Sequence, residues 1–131
     1  MNQITNLIAR MLLAQVFILA GISKLGSGYG GTQEYMSSVG VPSALLPLVI
    51  LIEFGGGIAL ILGFFTRWVA LVLAVFAIAA AALFHSDFSN QMEVIAFTKN
   101  IAISGGLLLL MCYGGDKYSL DARKAKDKTS V

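Results

Sequence analysis

Five polar residues set among long apolar runs carry what chemistry this chain offers: Lys24, Glu53, His85, Lys99 and Asn100. Glu53 is the single charge between Ser43 and Phe65, about ten residues, or roughly 15 Å at helical rise, from one end of that run. A carboxylate at such depth in an apolar phase has to be neutralised, paired with a cation or opened to a polar cavity. Lys99 enters the last apolar run at nearly matching depth and is the expected ion-pair partner, with Arg10 as the runner-up from the opposite side. Asn100 adds an uncharged donor and acceptor on the adjacent face, and His85 closes the third run beside Asp87. Two readings of this group stand side by side: a buried ion pair that fixes helix order, or a ligand and proton site built from Lys24, Glu53, His85, Lys99 and Asn100.

The elements that must position these groups are apolar helices. Of 131 residues, 57% are hydrophobic and 12% charged, with a mean hydropathy of +0.83, against roughly 25% charged in an ordinary soluble domain. That is too little polar surface for a water-soluble monomer. Four runs, near 4–25, 43–65, 68–86 and 95–114, each approach the roughly 20 residues that cross a bilayer, and none alternates as a half-buried strand would. The expected fold is an all-α integral membrane four-helix bundle, residues 1–114, followed by a basic cytoplasmic tail at 115–131 expected to be mobile. The link at Phe65, Thr66 and Arg67 is so short that the second and third spans must be antiparallel neighbours.

Between the spans, residues 26–42 hold five of the fourteen glycines and read as a loop with a short interfacial helix over Thr32–Ser38. Thr32 is its expected cap, and Tyr35 and Met36 are expected at the headgroups. Residues 86–94 read as a second loop. Within the first span, Arg10, Ala14, Phe17, Gly21 and Lys24 fall on one helical face, which directs both cations inward. Gln15 and Ser23 lie off that stripe. Glycines 55–57, 63, 105 and 106 and alanines 79–82 mark faces where helices can approach closely.

Several functions are set aside by composition. The net charge of +2 does not make a nucleic-acid surface, since four of the nine Lys and Arg residues fall between Arg123 and Lys128. A single cysteine, Cys112, excludes an internal disulfide, a CxxC pair and a cysteine-based metal cluster. No zinc spacing, P-loop, catalytic triad or dinucleotide motif occurs, so no metal and no intrinsic cofactor is expected. The first run ends in GISKLG, without a small-x-small site, and is expected to stay as a span. With four spans, one side receives Arg10, Arg67, Lys117, Arg123, Lys124, Lys126 and Lys128, and the other Lys24 and Lys99. That seven-to-two asymmetry predicts cytoplasmic termini.

The landmarks AGISKL (20–25), GTQEYMSSVGVP (31–42), LLPLVILIEFGGGIALILGFFTR (45–67), FHSDF (84–88), KNIAISGG (99–106) and YSLD (118–121) resemble, in this order, the DoxX family. The resemblance implies a four-helix protein of the bacterial inner membrane. Some members of that family are subunits of a thiosulfate:quinone oxidoreductase, and others belong to membrane oxidoreductase complexes of redox and thiol stress. The family has no agreed catalytic residues to carry over, and relatives tied to disulfide chemistry use cysteines, of which this chain has only Cys112. The expected role is a membrane subunit or accessory of a quinone-linked oxidoreductase, with quinone as the implied cofactor and oxidoreductase subunits as partners. The alternatives are a binding or transport module using the Glu53/Lys99 cluster, which a homo-oligomer would suit, and a non-catalytic membrane anchor.

Overall fold

The computed structural model describes residues 3–115 and 118–123. The main helices of the described residues are, in order, α1 (Gln3–Ser23), α2 (Gly28–Ser38), α3 (Ser43–Leu62), α4 (Thr66–Phe84) and α5 (Gln91–Tyr113). All but α2 are long and apolar enough to cross a membrane. No strand occurs among the described residues. Helix α3 opens with a 3-10 turn at Ser43–Leu45 and contains one π-helical turn, Leu51–Gly55, before closing as α-helix over Gly56–Leu62.

In a bilayer the helices gain nothing from hiding apolar surface from lipid tails, so close backbone approach has to supply the attraction. The sequence provides it by pairing α1 with α3 and α4 with α5. A Cβ on Gly57 would stand 3.1 Å from the Ala14 carbonyl oxygen and press into Ile18, and one on Gly21 would stand 3.0 Å from Phe54 Cβ. The core between the two helix pairs holds Ala14, Phe17, Leu60, Leu73, Ala74, Ala77 and Leu107. Outside it, Leu12, Leu19, Val75 and Leu109 are about three-fifths exposed, the surface expected of a protein whose solvent is lipid. Asn6, Arg10, Ala14, Phe17 and Gly21 are the buried residues of α1, so the predicted stripe is the inward face.

One end of the bundle is tied by Arg10, which is fully buried. Its Nη1 donates to the carbonyls of Leu60 and Ile61, both at 3.0 Å, in the last turn of α3, where the Leu60 oxygen also accepts the Gly63 N–H. Its Nε donates to Asn6 Oδ1 and its Nη2 to the Tyr118 carbonyl, while Asn6 Nδ2 donates to the Gly114 carbonyl. The next helix starts from an unusual corner: Gly63 and Phe65 both have positive φ, and Asp121 accepts the Phe65 and Thr66 N–H groups at 2.8 Å each. Asp121 therefore caps α4 from a distant point in the chain.

These contacts correct the expectation of a free tail from residue 115. Residues 118–123 are docked, because the α3–α4 corner leaves two N–H donors that Asp121 satisfies and a carbonyl at Gly63 that takes the Asp121 N–H. Lys117, Lys124, Lys126 and Lys128 lie outside the described residues.

Candidate site at the Lys24 end of the bundle

At the opposite end the helices part around a cavity of about 340 Å³, open on one side and walled mostly by apolar side chains. Lys24, Glu53, His85, Lys99 and Asn100 all line it, so the structure brings the five sequence-predicted residues to one place. Helix α2 covers it with Thr32, Tyr35 and Met36.

Glu53 is 3% exposed, and Lys24 Nζ reaches Oε1 at 2.9 Å and Oε2 at 3.1 Å. The ion pair is thus Lys24 with Glu53, which replaces the expected pairings with Lys99 or Arg10. The reason lies one helical turn away. With no side chain at Gly21, α1 lies directly on the backbone of Phe54, which sets Lys24, three residues past Gly21, against Glu53, one residue before Phe54. Lys24 also sits just beyond the C-terminus of α1 and donates to the Ala20 carbonyl at 3.2 Å, where the negative end of the helix dipole favours a cation. Lys99 belongs to the other helix pair and faces the cavity from across it. Arg10 is engaged at the far end of the bundle. Glu53 falls within the π turn, a local rewinding that recurs where helices build functional sites.

The remaining predicted residues differ in how they are held. Asn100 is half-buried and makes one long contact, Nδ2 to the Ala77 carbonyl at 3.4 Å, which leaves its amide largely available to the cavity. His85 Nδ1 lies 3.1 Å from Glu93 Oε2, so Glu93 rather than Asp87 is its neighbour. That arrangement follows from α5 starting at Gln91, four residues before the expected boundary, with Asn90 Oδ1 accepting the Met92 N–H as cap. Asn90 followed three residues later by Glu93 is a readable helix-start pattern that the hydropathy reading passed over.

Met36 is relocated, and the bounds of α2 differ from the expectation. Helix α2 begins at Gly28 rather than Thr32, and Thr32 Oγ1 donates to the Gly28 carbonyl instead of capping. Met36 is 2% exposed and packs inward, not at headgroups. Tyr35 lines the cavity, stacks on Phe84 with ring centroids 5.6 Å apart, and donates its hydroxyl to the Phe84 carbonyl at 2.8 Å, satisfying an oxygen at the end of α4. Burial, and after it the Glu93 carboxylate, pushes the Tyr35 phenol above the ordinary tyrosine range. Chemically, the site offers an apolar chamber with two ammonium groups, one paired carboxylate, an imidazole and an amide, all able to meet the polar head of a lipophilic molecule.

The comparisons with known proteins agree with this architecture. The chain is 51% identical over 115 residues to the inner membrane protein YqjF of Escherichia coli (strain K12), covering 88% of each chain. It is 36% identical over 124 residues to the inner membrane protein YphA of the same organism, covering 89% of this chain and 88% of that one. It is 32% identical over 78 residues to CatD of Bacillus subtilis (strain 168), provisionally named an oxidoreductase, covering 60% of this chain and 58% of that one. No solved structure gives a significant match. The DoxX family profile matches residues 5–86, from the first turn of α1 to just past the end of α4 and including both partners of the Lys24–Glu53 contact, and the chain belongs to the DoxX family.

Proposed function

We propose that this protein is a multi-pass inner-membrane protein that binds a lipophilic small molecule with a hydrogen-bonding head, of the quinone type, as the membrane subunit or accessory of an oxidoreductase. The observation that carries the reading is the convergence of Lys24, Glu53, Lys99 and Asn100 on one apolar, partly open cavity at a depth where a bundle needing only stability would place apolar side chains. The names of YqjF and CatD support the inner-membrane and oxidoreductase parts respectively. The seven-to-two cation count supports termini on the cytoplasmic side.

The donor set suits such a head. Lys99 and Asn100 present N–H groups to an accepting carbonyl oxygen, the Lys24–Glu53 pair fixes one wall, and the apolar remainder accepts a ring and its hydrocarbon substituent. A quinone, when bound, would supply two-electron carrier chemistry that no side chain here provides. The chain's own part is to hold and orient the head, to exclude bulk water with α2, and to keep protonatable groups within the chamber. A partner subunit supplies the electrons.

The test is native purification in mild detergent, with mass spectrometry of co-purifying lipids, quinones and proteins, for wild type and Glu53→Gln. A quinone or dehydrogenase subunit recovered with wild type and depleted from a folded Glu53→Gln variant is the expected result. Equal recovery with both, or a protein free of either, would overturn the reading.

A further inference from the structure

We infer that the cavity selects a lipophilic oxyanion, one ionised oxygen group carried on an apolar body, with Lys99 as its charge partner. This rests on the reading of the cavity as a ligand site and specifies the head that it takes. Charge inside the chamber is left with one cation in excess. Glu53 has both oxygens occupied by Lys24, and that pair is neutral as a unit. His85 is turned to Glu93 at the rim through Nδ1. Lys99 is then left over: it lines the cavity, and among the described residues no carboxylate lies within 4 Å of its ammonium.

Position makes the surplus consequential. Lys99 is the ninth residue of α5, about 12 Å along a helix that begins at the bundle end. The Lys99 side chain is exposed in the structure while it lines a chamber with mostly apolar walls, and in a bilayer an ammonium so placed draws a counter-charge more strongly than it would in bulk water. Asn100, adjacent in sequence, lines the same chamber and offers an amide N–H to a second oxygen of the same head. One cation in excess and one neutral donor match a single negative charge shared over two oxygens, as in a carboxylate. The apolar walls, including Phe17, Phe76 and Ile103, fit the hydrocarbon that carries it. A neutral head such as a quinone's meets the same N–H donors but leaves the Lys99 charge uncompensated, so it binds more weakly than an oxyanion, and a cationic head would add to the surplus.

The experiment measures equilibrium binding of dodecanoate and of dodecanol, as probes of equal chain length, to the full-length protein in nanodiscs of neutral phosphatidylcholine, with empty nanodiscs correcting for partition. Wild type is expected to prefer dodecanoate by about tenfold or more, Lys99→Gln to lose that preference, and Lys99→Arg to retain it. Competition by phosphatidylglycerol would identify the oxyanion as a bilayer headgroup, and its absence a free lipophilic acid; either supports the charge selection. Equal affinity for the two probes, or a preference that survives in Lys99→Gln, would overturn it and mark Lys99 as a lysine that reaches past the cavity to the interface. Saturable dodecanol or quinone binding without charge preference leaves the ligand site standing, whereas no saturable binding of any probe removes both.

Discussion

Lys24 holds both oxygens of Glu53, at 2.9 and 3.1 Å, from the end of the helix that Gly21 lays against the backbone of Phe54. The two partners are unequally buried: Glu53 is 3% exposed, while the Lys24 side chain keeps 23% of its surface. Removing the cation strands a buried carboxylate, whereas removing the carboxylate leaves a lysine that still reaches the cavity opening. Lys24→Met is therefore expected to cost about 3 kcal/mol, at the low end for a broken buried pair, and Glu53→Leu less. The double variant should recover much of the loss. Thermal melts of the three in detergent check this; strictly additive effects would mean that the pair is not coupled.

The Arg10 end yields a sharper contrast. Gly63 has φ +70°, and a Cβ there would collide with Ser119 and stand 2.7 Å from Arg10 Nη1. Gly105, in the middle of α5, has open space at the same position. Gly63→Ala is expected to destabilise by about 1–3 kcal/mol through strain and displacement of the docked 118–123 segment, while Gly105→Ala should be neutral or stabilise by up to about 1 kcal/mol. Melting temperatures of the two variants decide the matter, and similar shifts in the same direction would contradict the close packing at Gly63.

Tyr35 ties α2 over the cavity through its hydroxyl, and its phenol is raised above the ordinary range by burial and by Glu93. A raised phenol favours the folded state while it is protonated. That contribution is complete below the ordinary tyrosine pKa and is lost as pH rises through the higher folded-state value. Alkaline titration of tyrosinate absorbance should show one tyrosine ionising late, and Tyr35→Phe should abolish that late step. A titration in which Tyr35→Phe removes an early-ionising tyrosine instead would contradict the hydroxyl's placement.

The chain's cations predict its orientation. Tyr118 and Gly28 lie at opposite ends of the bundle, the first beside Arg10 and the second at the start of α2. Reporter fusions after Tyr118 should be active in the cytoplasm and those at Gly28 in the periplasm. The reverse pattern would overturn the cytoplasmic assignment of the termini.

Much of this fold was legible because a bilayer demands long apolar runs, and charges punctuate them. The inward stripe of α1 from Arg10 to Gly21 could be read from spacing alone, as could the gathering of the five polar residues. What spacing could not supply is which cation reaches Glu53. Lys24 stands at the end of α1 and Lys99 two turns inside α5, and the choice between them depends on which helices pack together, set by Gly21 meeting Phe54 across 33 positions of sequence. The docked role of Asp121 was hidden for a similar reason. A carboxylate in a charged tail looks solvated until the α3–α4 corner, with Gly63 and Phe65 at positive φ, exposes the N–H groups that it caps. Met36 was expected at the headgroups because hydropathy does not show that α2 folds back over a cavity.

The central claim, that the Lys24 end of the bundle is a ligand chamber, is tested most directly by photolabelling the protein in membranes with an azido-quinone and mapping the adducts by peptide mass spectrometry. Adducts should concentrate on chamber residues such as Val16, Ala20, Ala80 and Ile103, and fall when unlabelled short-chain quinone is added. Adducts spread over lipid-facing positions such as Leu12, Leu19, Val75 and Leu109, unaffected by competitor, would contradict it.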